Sequence, residues 1–409
     1  VFKKMFGCRF IAAAAFVLST PYLFSQDTVF KDAPLQKMLS RLSLREKAAQ
    51  VLMVNITGNK RADKKSIAPF KGTVPGALLL FGYNIAGTPQ EVAAFSDSAT
   101  QALKDTAESA GRPFVPPLYA LDNEGGSVYR TRGVTAPLPA AEEIGKRFSV
   151  TETEELYRLL GKQMHELGIH LNLAPVAEAR TEENTATLGT RTYSADTDTA
   201  GAYAAAAVRG MQESSVLAAV KHFPGNGAAD PHKESAALNV DNEAFRSRYC
   251  TAFRPSIAAG AAAVLVSHVT VAAVETVPFC FSAKGIALLR NELGFSGLVI
   301  TDDIAMQALK QTGASAADNA VRAIAAGCDM IMCSLPKVYP LISAIAEKAA
   351  SEAAFAHRLD EAVLHVLTAK QRAGLIDTEG LFTPHMPDWE IFRQAKKAAE
   401  RLYTENGTR

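Results

Sequence analysis

The stretch Leu217-Ala218-Ala219-Val220-Lys221-His222 sets four apolar residues directly before a lysine and a histidine. A run that is apolar throughout, rather than at every second position, suits a strand buried on both faces of a parallel sheet. Seven further runs share this character: Val51–Ile56, Ala77–Phe81, Leu118–Leu121, Ile169–Leu173, Ala263–Val266, Leu298–Ile300 and Met330–Met332. Helical patterns separate most of them, at 88–110, 151–167, 197–212, 242–259, 284–293 and 315–326. Thr88-Pro89 opens the first; Thr151-x-x-Glu154 reads as a capping box for the second, which stops at Gly168. The connection 57–74 is polar and rich in Gly and Lys, with no clear helix. Eight strand–helix repeats over roughly 300 residues give the arithmetic of an α/β fold of the (β/α)8, TIM-type barrel class. A doubly wound sheet fits less well, because the G-x-G at Gly225 and Gly227 lacks its third glycine and opens no long helix.

The chain has 409 residues, with 43 Lys+Arg against 42 Asp+Glu, so its charge offers no general attraction for nucleic acid or an anionic membrane. A 48% hydrophobic content excludes wholesale disorder. Cys8, Cys250, Cys280, Cys328 and Cys333 form no CxxC pair; the last four read as small buried side chains, with one disulfide open to them. His165 and His170 are five apart rather than the four of HExxH, and the sequence carries no metal signature. Residues 1–26 have the pattern of a signal peptide: Lys3, Lys4 and Arg9, an apolar run from Phe10 to Leu18, then small and polar residues. That apolar run is too short for a membrane span. The expectation is export to a periplasmic or extracellular location after cleavage near Ser25, the alternative being an uncleaved anchor. A barrel domain is assigned to 27–380 and a helical tail to 381–409. The chain from Leu341 on reads as helical, broken at Pro384 and Pro387, and is expected to pack on the outside of the barrel.

In such a barrel the chemistry sits where the strands end. Those positions hold Asp122 and Glu124, Asn172, Lys221 and His222, His268, and Asp302 with Asp303. Five strands aiming polar side chains at one face suit a small-molecule site rich in hydroxyl-binding groups.

The stretch Lys221-His222-Phe223-Pro224-Gly225-Asn226-Gly227-Ala228-Ala229-Asp230-Pro231-His232 resembles the signature of glycoside hydrolase family 3, in its bacterial β-N-acetylglucosaminidase branch. Three more segments agree in order and spacing. Asp122-Asn123-Glu124-Gly125-Gly126-Ser127-Val128-Tyr129-Arg130 is similar to the D-x-E-G-G-x-V-x-R segment, Asn172-Leu173-Ala174-Pro175-Val176 to the N-x-A-P-V strand, and Gly297–Asp303 to the nucleophile strand.

The resemblance implies a retaining hydrolysis, which needs a nucleophilic carboxylate and a proton donor flanking the glycosidic bond. Asp302 matches the nucleophile, while Asp303 reads as support. His232 matches the proton donor, with Asp230 two residues away to fix its tautomer and stabilise its charged form. Asp122, Arg130, Arg191, Lys221 and His222 match the substrate ligands, and Glu124 reads as holding the Gly125-Gly126 turn. The implied partner is a carbohydrate with terminal β-GlcNAc, from peptidoglycan or chitin-type saccharides; no cofactor and no nucleic acid is implied. The alternatives are a β-N-acetylglucosaminide phosphorylase, since a neutral imidazole repels phosphate less than a carboxylate would, a family 3 β-glucosidase, or a non-catalytic sugar-binding barrel. The sequence departs from the family pattern in a short stretch between Gly227 and Asp230, in Pro231 where a small hydroxyl residue is usual, in Asn226 for histidine, and in Glu178 for aspartate.

Overall fold

The computed structural model describes residues 32–229, 236–310, 313–334 and 337–407. The leader expected at 1–26 and the pair Asp230 and His232 lie outside the described residues.

Each apolar run contains a strand: β1 Leu52–Asn55, β2 Ala77–Leu79, β3 Leu118–Leu121, β4 Leu171–Asn172, β5 Leu217–Phe223, β6 Ala263–Val266, β7 Leu298–Thr301 and β8 Ile331–Cys333. They form one parallel row in the order β7-β6-β5-β4-β3-β2-β1-β8. A parallel bridge between Ile300 and Met330 joins the two ends of that row and closes the barrel. Met53, Leu79, Leu118, Ala120, Leu265 and Ile300 belong to the inward cluster, whereas their neighbours Val54, Leu78, Tyr119, Leu121, Val264 and Val299 pack under the helices. This period-two split, buried on both sides, is why the runs read as continuously apolar.

Most helices start and stop as the sequence suggests. Pro89–Ser109 is capped by Thr88 and Glu91, Thr197–Glu213 by Asp196, and Ala316–Ala326 by Ser315. The helix Val150–Glu166 is capped by the Ser149–Glu152 box rather than by Thr151 and Glu154. Both pairs have capping-box spacing, and the earlier one adds two residues of helical hydrogen bonding. The segment 242–259 is three pieces rather than one helix: Asn242–Ala244, a wide π turn at Phe245–Cys250, then Thr251–Ala258. Pro255 inside the last piece has no N–H to donate back to the preceding turn. The connection 57–74 does carry a short helix, Lys64–Ile67, capped by Asp63. Cys250, Cys280, Cys328 and Cys333 are buried, and no disulfide joins any two of them.

The C-terminal segment departs from expectation in one respect. Helices Tyr339–Ser351 and Trp389–Gly407 lie outside the barrel, but Ala353–Arg372 covers its N-terminal mouth. Val366, Ala369 and Ala373 join the same cluster as Met53 and Leu118. Lys370, fully buried, bonds the side chain of Gln50 just ahead of β1, and Arg372 donates to the Gly260 carbonyl ahead of β6. The inward side chains leave an apolar opening at that end, and covering it removes their area from water.

A buried ion cluster welds the closing seam. Asp329, 0% exposed, accepts from Arg290 at 2.5 Å, Arg358 at 2.5 Å and the Val299 amide at 2.9 Å. Burial acts to raise its pKa, but His365, Arg290 and Arg358 outweigh that and hold the carboxyl below its ordinary value. Asp329→Ala leaves two arginines without their shared anion, and a loss of about 3–5 kcal/mol of unfolding free energy is expected in urea titration.

Where the tail crosses the helix Val150–Glu166, His165 and His385 meet edge to face at 4.6 Å. Beside them the Nδ1 of His170 accepts from the Tyr119 amide. Burial is the largest cause holding all three imidazoles low, with mutual repulsion added at His165 and His170; His170 is down to about 3. Glu166 faces His165 and His385, Lys370 faces His170, and Asp97, Lys104, Lys162 and Glu213 line the clefts beside them. The unfolded chain therefore takes up protons that the folded chain refuses, so stability falls as pH falls. Thermal unfolding is expected to lose midpoint already between about pH 6.5 and 5, before ordinary carboxylates titrate, and His385→Asn should flatten that slope.

Candidate active site

Residues from β5 and from the segments after β3 and β4 converge on one charged constellation. Lys221 is 2% exposed at the end of β5, and its ammonium lies 2.5 Å from Asp122 Oδ1 and 2.7 Å from Glu124 Oε1. A buried ammonium is stable only when surrounded by acceptors, which the segment after β3 supplies. Arg191, from the turn Gly189–Arg191, forms a two-pronged pair with Glu124 at 2.7 and 2.8 Å. Burial acts on Glu124 to raise its pKa, but Lys221 and Arg191 win and hold it down at about 2. The Lys221 ammonium is correspondingly raised: burial opposes its charge, and Asp122 and Glu124 outweigh that.

Glu178 organises the adjacent loop. Its carboxylate accepts from the His222 amide at 3.0 Å, His222 Nδ1 at 2.8 Å, the Asn226 amide at 2.6 Å and Asn226 Nδ2 at 3.0 Å. With Nδ1–H committed to Glu178, the Nε2 of His222 faces Arg191 Nη2 at 3.4 Å. The longer Glu178 and the amide of Asn226, both departures noted in the sequence, are thus hydrogen-bonded to each other.

At the end of β7 the Asp302 carboxylate accepts from the Asp303 amide at 2.8 Å, and its own amide bonds the Val266 carbonyl at 2.9 Å. The Asp303 side chain accepts from the Ala305 amide at 2.9 Å and from Ser334 through amide and hydroxyl. Arg130 follows the small hairpin Asn123–Gly125/Val128–Tyr129, and its buried Nε has no hydrogen-bond partner among the described residues. The structure therefore brings Asp122, Lys221, Arg191 and His222 together, sets Asp302 at the same barrel end, and leaves Arg130 with a donor to spare. Asp230 and His232 lie outside the described residues.

Two residues have roles that the sequence reading missed. Glu124 is the shared anion of two cations, a role invisible in sequence because Arg191 is 67 residues away. Asn172 does not face the site; its amide exchanges two hydrogen bonds with the Asn123 backbone, at 3.0 and 3.1 Å. Gly125 turns the hairpin at φ +96°, where a Cβ would also stand 2.0 Å from the Pro139 carbonyl oxygen. His268 is a buried hydrogen-bonded residue, its Nε2 donating to the Asp303 carbonyl at 2.9 Å.

Residues 43–369 match the glycosyl hydrolase family 3 N-terminal domain. The chain belongs to glycoside hydrolase family 3. This family 3 enzyme is similar to a β-hexosaminidase of Stenotrophomonas maltophilia, 33% identical over 232 residues that make up 54% of this chain and 68% of the relative. Among solved structures it is similar to a family 3 β-N-acetylglucosaminidase from a Paenibacillus species, with TM-score 0.76 and 27% identity over 89% of this chain and 69% of that one. A β-N-acetylhexosaminidase from Beutenbergia cavernae superposes with TM-score 0.70 and 29% identity, covering 80% of this chain and 98% of that one.

Glu124→Gln in this hydrolase removes the charge that Lys221 and Arg191 share. The expected outcome is a folded protein destabilised by about 3 kcal/mol in thermal or urea unfolding, with a raised KM for a nitrophenyl glycoside.

Proposed function

We propose that this family 3 hydrolase is an exported, retaining exo-β-N-acetylglucosaminidase that removes terminal β-linked GlcNAc from peptidoglycan-derived or chitin-type saccharides. The observation that carries the reading is the Asp122–Lys221 pair at the same barrel end as Asp302: a fixed acceptor and a fixed donor suited to neighbouring ring hydroxyls, with a carboxylate at hand for the anomeric carbon. The hexosaminidase and N-acetylglucosaminidase names of the relatives above support the choice of sugar. The basic-then-apolar pattern of residues 1–26 supports export.

In this reading Asp302 attacks the anomeric carbon as the bond to the leaving oxygen breaks, and His232 gives that oxygen its proton. Asp230 holds the imidazole and stabilises its charged form before the transfer. Water then attacks the glycosyl–Asp302 ester, His232 takes a proton from it, and GlcNAc leaves with its β configuration retained. Arg130, Arg191 and His222 complete the grip on the sugar. The buried ion pairs hold Asp122, Lys221, Arg191 and His222 in place before substrate arrives, so little reorganisation is needed there at the transition state.

Initial rates on nitrophenyl β-GlcNAc and nitrophenyl β-glucoside, each with and without millimolar phosphate, test the proposal. A strong preference for GlcNAc that phosphate does not alter is expected, with Asp302→Ala abolishing turnover while the unfolding midpoint stays unchanged. Phosphate-dependent formation of GlcNAc-1-phosphate would make the enzyme a phosphorylase, and a preference for glucoside would make it a glucosidase.

A further inference from the structure

Behind Asp302 a line of hydrogen bonds runs through residues that touch no sugar in the mechanism above. The Asp303 peptide groups are used on both sides: its amide donates to Asp302 Oδ1 at 2.8 Å, and its carbonyl accepts from His268 Nε2 at 2.9 Å. A carbonyl can only accept, so the imidazole proton is on Nε2. In the neutral ring Nδ1 is then a bare acceptor, and it lies 3.3 Å from the Cys280 sulfur. Cys280 is fully buried in the turn Phe279–Phe281, and its own carbonyl accepts from the Cys328 thiol at 3.4 Å. We infer that His268 is a positioning residue for the nucleophile, its ring held at Nδ1 by the Cys280 thiol, so that Cys280, His268 and Asp303 together aim the Asp302 carboxylate. The inference rests on the assignment of Asp302 as nucleophile.

The direction of each bond is consistent along the whole line. The thiol donates to Nδ1, Nε2–H donates to the Asp303 carbonyl, and the Asp303 amide donates to the carboxylate. Burial, with the nearby Cys328 and Asp302, pushes the Cys280 thiol well above its ordinary value, so it stays a protonated donor across the working range. The Asp303 side chain is itself tied to the amides of Ala305 and Ser334. Without the thiol the ring loses that contact at Nδ1 and is freer to tilt off the Asp303 carbonyl. The carboxylate then loses its fixed line to the anomeric carbon, while the Asp122–Lys221 grip is untouched.

The test compares Cys280→Ala with Cys280→Ser, and His268→Ala with His268→Gln, on whichever nitrophenyl glycoside the wild-type enzyme cleaves. The choice of sugar therefore does not enter, and Asp302→Ala serves as the control for the nucleophile itself. Cys280→Ala is expected to lower kcat on the order of tenfold, and His268→Ala about a hundredfold, with the inhibition constant of the free product sugar unchanged. Serine, which restores a donor at Nδ1, and glutamine, which restores one at the Asp303 carbonyl, are expected to recover most of that loss. Wild-type kcat in Cys280→Ala would overturn the proposal. So would equal losses in Cys280→Ala and Cys280→Ser, or a product affinity that falls in step with kcat. If His268→Ala does not fold, the two Cys280 variants still decide.

Discussion

A lysine ammonium with almost no access to water has to be neutralised where it stands, and in this enzyme that requirement ties three strand ends together. Lys221 leaves β5 and meets Asp122 and Glu124 beyond β3, and Glu124 in turn holds Arg191 from the loop after β4. No member can move without exposing an unpaired charge to a low-dielectric surrounding, which costs several kcal/mol. The hairpin at Gly125, the Asn172–Asn123 exchange and the Glu178 junction are the local means of keeping those residues within reach. The donors and acceptors at this end of the barrel are thereby fixed in position.

The barrel itself was legible because its physics is periodic. All eight runs are strands, since residues buried on both sheet faces must be apolar without interruption. Thr88, Ser315 and Gly168 mark helix ends because capping is a local matter between residues three or four apart. What the sequence hid is non-local. Glu124 reads as a turn residue until Lys221 and Arg191 are seen on either side of it. Helix Ala353–Arg372 has an ordinary amphipathic pattern, and nothing in that pattern says that its apolar side meets the inside of the barrel rather than its outer face.

The two ends of the barrel divide the polar residues between them. At the strand C-termini the charges are paired so as to leave hydrogen-bonding capacity for a ligand. At the other end Lys370, Arg372 and Asp329 spend theirs on Gln50, Gly260, Arg290 and Arg358, all within the protein. That second set serves the integrity of the ring, and the sequence signatures that resemble the family lie almost wholly at the first end.

The position of helix Ala353–Arg372 also bears on how the protein is made. Chains grow from the N-terminus, and β1 acquires its partner β8 only after residue 333 has appeared. Even then the mouth stays open until Val366, Ala369 and Lys370 arrive. A nascent chain lacking its last quarter thus carries an unpaired strand edge and an uncovered apolar interior, the two surfaces most prone to aggregation. The barrel closes only once these residues have been made, and during the interval before that the growing chain depends on whatever shields those surfaces from other chains.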